Sequence, residues 1–355
     1  MPRRKIPYTK RATTLDEQLE KLRRHGVIIS DEPKAKEYLA DIGYYRLGFY
    51  LFPFEQTYPH LDHRRQHIVN PGTRIDDVVA LYYFDMDLRN ILNKYLSRIE
   101  VAIRTTIIYE LSNKYNSNPT WFVDPNVVSS DFIRKFPNEA YRSIKNKLPI
   151  QRHHAKYLGQ YAPAWKTMEF MTFGNLEVLY DSLIWDRDKS LISSHFREFA
   201  IETFKSYLTA IREVRNACAH GNVVFGMTLS NGIRAGQACP SFSANEQQSF
   251  KGALRVVDYM LRQVSVNRAN DMWNELWSAT SRLYKKTPAI RAVIESQTGI
   301  TPHKNSGFMH LLRPFLKKIV KSVKKNADDL LYWKSIATFA IRKCIWMAPM
   351  LPTAL

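Results

Sequence analysis

The chain has 355 residues, 45% of them hydrophobic and 12% aromatic, enough for a large core or for two domains. It carries 52 Lys and Arg against 33 Asp and Glu, a net charge of +19, so polyanions are the expected partners, nucleic acid before anionic membrane. No apolar run approaches the ~20 residues a membrane span needs, no apolar stretch follows the basic N-terminus, and Cys218, Cys239 and Cys344 form no disulfide pattern, so a cytoplasmic protein is expected.

Taken in chain order, the elements read as helical almost throughout. "TTLDEQLEKLRRHG" has Leu15, Leu19 and Leu22 at helical spacing and stops at Gly26. "SDEPKAKEYLADIG" has a cap at Ser30 or Asp31, Pro33 in its first turn and a left-handed stop at Gly43. The aromatic run "YYRLGFYLFPF" closes at Pro53, and the aperiodic segment after it reads as a loop. Thr73 and Asp76 have capping-box spacing. After them Phe84, Leu88, Ile91, Tyr95, Ile99, Ile103, Ile107 and Leu111 form one stripe, predicting a helix over 75–115 with room for a bend.

Pro137 is expected to break the basic stretch "DFIRKFPNEAYRSIKNKL". "PAWKTMEFMTFGNLEVLYDSL" and "DKSLISSHFRE" follow, then a helix from Phe204 to Ala219 with a core face of Phe204, Leu208, Ile211, Val214 and Cys218. Residues 221–247 are rich in Gly and small polar residues, and could hold a short hairpin. Further helices complete the chain. The organisation expected is an N-terminal helical region (1–72), a helical core (73–225), a loop (226–247) and a basic C-terminal helical region (248–355).

The helix ending in "IREVRNACAHGNVVF" concentrates the chemistry. Arg212, Asn216 and His220 are spaced i, i+4, i+8 and form one row, and the long Arg215 can fold back toward it. Guanidiniums match phosphate oxygens, an imidazole moves protons near neutrality, and an amide can orient either group. On RNA, whose own 2′-OH can attack the adjacent phosphorus, such a set would need no metal and no cofactor. The bland reading is a helix-end His220, favoured by the dipole, with Gly221 as the stop.

"VRNACAH" resembles the Arg-x4-His motif of the HEPN superfamily. The blocks "LADIGYYRLGFYLFPF", "LYYFDMDLRNILNKYLSRIEVAIRTTIIYELS" and "PAWKTMEFMTFGNLEVLY" resemble, in order, those of the Abi-like abortive-infection family (the AbiD/AbiF group), over roughly residues 14–225. The resemblance implies an all-α HEPN-type bundle with additional N- and C-terminal helices. It implies metal-independent RNA cleavage with Arg215, Asn216 and His220 as catalytic residues, bacterial anti-phage defence, and association with a structured small RNA. Relatives often carry another Arg after "AHGN", where this chain has Val223 and Val224. A non-catalytic RNA-binding module with a decayed site is the alternative. HEPN sites juxtapose two motifs; this chain has one Arg-x4-His, so a homodimer is expected.

Other groups are weighed beside these. Tyr44, Tyr45 and Arg46 could stack on bases and hold RNA, but tyrosines in the core with Arg46 paired to a buried carboxylate are the stronger expectation. Asp85 with Arg89, and Glu100 with Arg104, read as structural i, i+4 ion pairs, the second the better candidate for the site. His60, His63 and His67 have Arg64 and Arg65 among them, which oppose a divalent ion, so RNA contact is expected there rather than metal. Lys317, Lys321 and Lys324 lie on one side of an amphipathic basic segment and are candidates for RNA contact.

Overall fold

In a computed structural model the protein is described at Thr9 and over residues 11–60, 65–243 and 245–301. Its described helices are α1 Leu15–Arg24, α2 Glu32–Ile42, α3 Tyr44–Leu51, α4 Ile75–Lys114, α5 Ser130–Phe136, α6 Arg142–Ile144, α7 Leu148–His154, α8 Ala164–Thr167, α9 Phe173–Ser182, α10 Asp186–His195, α11 Ile201–Ala219, α12 Phe250–Val264, α13 Val266–Lys286 and α14 Arg291–Thr298. Extended pairing among the described residues is limited to isolated bridges; one, Gly236 with Cys239, lies in the 221–247 stretch that could have held a hairpin, and another joins Thr228 to Ser249. The fold is all-α.

Local signals account for most helix ends. Thr14 and Glu17 form a reciprocal capping box on α1. Asp31, not Ser30, caps α2 by accepting from the Lys34 N–H at 3.0 Å. Gly26 and Gly43 close the two helices with positive φ. The start of α4 departs from expectation by one residue. Arg74 is its N-cap, and its N–H donates to the Asp77 carboxylate at 3.0 Å. Thr73 is used in the preceding turn, where its hydroxyl donates to the Asn70 carbonyl. Pro137 ends α5, as expected, but the chain does not leave the helical path: a π-helical turn, Pro137–Tyr141, carries it into α6.

α4 is the axis of the fold: 40 residues, roughly 60 Å, without interruption. Its apolar stripe is buried except at Ile91, which is partly buried. α13 runs antiparallel along it. The contacts descend α13 as they ascend α4: Thr287 with Asp77, Arg282 with Asp87, and Glu275 with Lys94 and Tyr95. α11 is antiparallel too, with Arg215 beside Glu100 and, past its end, Val224 and Phe225 at Asp85. α12 packs against α4, α11 and α13, so the 221–247 loop joins helices that share one core. At the far end of α4, Lys114 and the Tyr115 hydroxyl bind the buried Asp188 of α10. No described helix is long and apolar enough to cross a membrane.

Candidate functional site

α11 has Phe204, Leu208, Ile211, Val214 and Cys218 in the core, which turns Arg212, Arg215 and Asn216 toward its margins. The helix ends where its sequence says it should. His220 is the C-cap and Gly221 takes φ 69°, a left-handed conformation natural to glycine. His220 is exposed at this helix end.

The arginines are less free than the sequence row implies. Arg215 Nη1 lies 3.4 Å from the Asn216 side-chain oxygen, and its Nε is 3.5 Å from Glu100 Oε2 on α4. Glu100 in turn accepts from Arg104 at 2.9 Å, and Arg104 also donates to the Met171 carbonyl. Arg212 forms an ion pair with Glu177 of α9, which also accepts from the Thr209 hydroxyl at 2.5 Å. The row contains no carboxylate, but α4 and α9 bring one to each of its guanidiniums. Glu177 is the residue sequence reasoning missed. Nothing local signals it, since it stands 35 residues before Arg212.

Arg46 reaches the same helix end from the N-terminal region. Its Nη1 donates to the Gly221 carbonyl at 2.8 Å. This corrects the expectation of a buried carboxylate partner: the guanidinium holds a single carbonyl just beyond the end of α11. The expectation that the neighbouring tyrosines are core holds only in part. Tyr44 is half-buried, whereas Tyr45 is 82% exposed.

Beneath the surface lies a second, buried polar cluster. Asp85 is fully buried; its Oδ1 accepts from the N–H groups of Val224 and Phe225 at 3.0 and 2.9 Å. Its Oδ2 accepts from the Tyr50 hydroxyl at 2.9 Å and from Arg89, whose Nη1 also donates to the Asn222 carbonyl at 3.2 Å. Burial raises the Asp85 pKa, and Arg89 and the two N–H groups pull it back. Burial also raises the Tyr50 phenol, which stays protonated and donates, and pushes the Cys218 thiol up to about 12, leaving no thiolate for chemistry. Asp85 and Arg89 thus form a structural pair that fixes the strand of chain leaving the motif, and Val224 is wholly buried there.

The other candidates lie apart. His67 is stacked on His25 at 5.6 Å and sits 3.3 Å from Glu55; His63 falls outside the described residues, as do Lys317, Lys321 and Lys324. The last turns of α11 and its end thus carry Arg212, Arg215, Asn216 and His220, and Arg46 joins that end through Gly221. Arg212 and Arg215 are paired with Glu177 and Glu100, whereas no carboxylate among the described residues pairs with Arg46.

No curated protein and no solved structure matches the chain significantly. The family model described as "Abi-like protein" matches residues 37–226, a span from the middle of α2 to just past the chain clamped by Asp85. It takes in every residue assembled here around His220, and more than half of the sequence. This chain belongs to the Abi-like protein family, whose name points to abortive infection, a form of defence against phage.

Proposed function

We propose that the protein is a metal-independent endoribonuclease of the HEPN type, acting on RNA in abortive infection. The observation that carries this reading is the presence of Arg215, Asn216 and His220 at one solvent-facing helix end, with Arg46, which has no carboxylate partner among the described residues, bound to that end. An RNA 2′-OH attacks the adjacent phosphorus and loses its proton, the bond to the 5′-oxygen breaks, and that oxygen receives a proton. His220 serves as the acid or base, Arg215 stabilises the crowded dianion, and Asn216 orients the guanidinium. Glu100, at 3.5 Å, holds Arg215 in reach while leaving a phosphate able to displace it. Arg46 and Arg212 supply further phosphate contacts on either side. A structured small RNA is the proposed partner, and a homodimer the proposed active form.

A second reading is a non-catalytic RNA-binding module. It is supported by Arg212 being engaged by Glu177 and by Val224 being buried where relatives often place another cation. One assay separates the two. With purified protein and a single-stranded RNA in EDTA, cleavage should persist and leave 2′,3′-cyclic phosphate ends. His220→Ala and Arg215→Ala should each lower the rate about 100-fold or more. Tight binding without cleavage would favour the second reading, and activity abolished by EDTA and restored by Mg²⁺ would overturn the mechanism.

A further inference from the structure

α3 carries two large aromatic rings on its solvent side. Tyr45 is 82% exposed and Phe49 48% exposed, and their rings meet edge to face with centroids 5.2 Å apart. They lie about 40° apart around the helix, with Arg46 about 60° beyond Phe49. Through the Arg46 hydrogen bond to Gly221, this face of α3 is fastened to the end of α11, one residue from His220. A glycine flanks the rings on their other side. Gly48 sits inside the helix, where glycine costs stability relative to alanine, yet a Cβ built on it would meet nothing within 4 Å. Packing does not ask for a glycine there, whereas a surface kept open for something flat does.

We infer that Tyr45, Phe49 and the shelf at Gly48 form a stacking platform for an unpaired nucleobase, flanking the phosphate held at Arg215 and His220. The inference rests on the ribonuclease reading and deepens it: single-stranded RNA is the substrate class, and these rings hold a base while the arginines hold the backbone. Charge complementarity selects this occupant, because the rings stand beside Arg46, a guanidinium bound to a carbonyl and paired with no carboxylate among the described residues. Stacking tolerates any base, so the platform selects unpaired over paired RNA rather than one sequence.

The test uses the full chain carrying His220→Ala, so that RNA stays intact, and fluorescence anisotropy with a short fluorescein-labelled single-stranded oligoribonucleotide. Combining Tyr45→Ala with Phe49→Ala should weaken binding by roughly 5- to 150-fold, the range found for base–aromatic stacking. Tyr45→Phe should bind like the parent. Gly48→Leu, which fills open space and favours the helix, should weaken binding while leaving the melting temperature unchanged or higher. The dependence on salt should keep its slope in all of these, since no phosphate contact is removed. Unchanged binding by the double variant, with the parent binding normally, would overturn the platform and leave the ribonuclease reading standing. If the double variant binds RNA normally but loses self-association, the rings join two copies and the inference also falls. A parent that binds no RNA would overturn both.

Discussion

A single carboxylate, Asp85, decides where the chain goes after His220. One of its oxygens takes two consecutive backbone N–H groups, the other a phenol and a guanidinium, all away from water. Every partner is a donor, so only an acceptor on both sides will serve. Asp85→Asn keeps the shape but turns an NH₂ toward donors on one side and leaves Arg89 without its counter-charge. Breaking a buried pair in this way costs about 3–5 kcal/mol, a large part of the stability of an ordinary domain. Denaturant unfolding should show that loss; a variant within about 0.5 kcal/mol of the parent would mean water replaces the carboxylate and the clamp is weaker than its geometry implies. The i, i+4 spacing of Asp85 and Arg89 was legible as an ion pair. What the pair holds was not, because Val224 and Phe225 stand 139 and 140 residues further on. Arg46 was hidden in the same way: a guanidinium in sequence names no partner, and its partner here is a backbone carbonyl that exists only because α11 ends at His220.

Among elements, the start of α12 leaves no room for a side chain at Gly252. Ser249 caps it by accepting from the Gly252 N–H at 3.1 Å, and the chain before it folds back so that the Glu246 carbonyl would lie 2.2 Å from a Cβ at Gly252. That obstacle is backbone and is itself bonded to Ser249, so it cannot move aside cheaply. Gly252→Ala should therefore destabilise by about 3 kcal/mol, although alanine is the better helix former. A melting temperature equal to the parent's would show that the turn at Glu246 yields. The contrast with Gly48, where nothing opposes a Cβ, is invisible in sequence, where both are glycines inside helical patterns. Patterns that depend on one element were readable: the stripe of α4, the core face of α11, and the stops at Gly26, Gly43 and Gly221. Patterns that depend on alternatives within a turn were not. Thr73 and Asp76 have the same spacing as Arg74 and Asp77, and only the hydrogen bond of Thr73 to Asn70 selects the second pair. Pro137 was legible as the end of an α-helix, but not the π-helical turn that follows it.

At the scale of the whole molecule, one chain offers one His220, and a transesterification benefits from a group that takes a proton and another that gives one. The motif helix ends at the surface, and α4, whose Glu100 contacts Arg215, exposes Val101 just after that residue and Tyr109 about two turns further along. A two-fold dimer would bring two such faces together and supply the second motif from the same sequence. If each active site draws on both copies, a His220→Ala chain poisons its partner. After random exchange of equal amounts of the two proteins, about a quarter of the dimers are wholly parental, while independent sites would keep about half of the activity. Nuclease activity plotted against mixing ratio therefore curves below the straight line when sites are shared. The measurement belongs on protein freed of RNA, because a bound RNA could hold two copies together or keep them apart. A straight line through half activity at equal mixing, or full activity from a species monomeric by sedimentation, would show that a single chain suffices. The proton that His220 does not handle would then have to be moved by water or by another group beside α11.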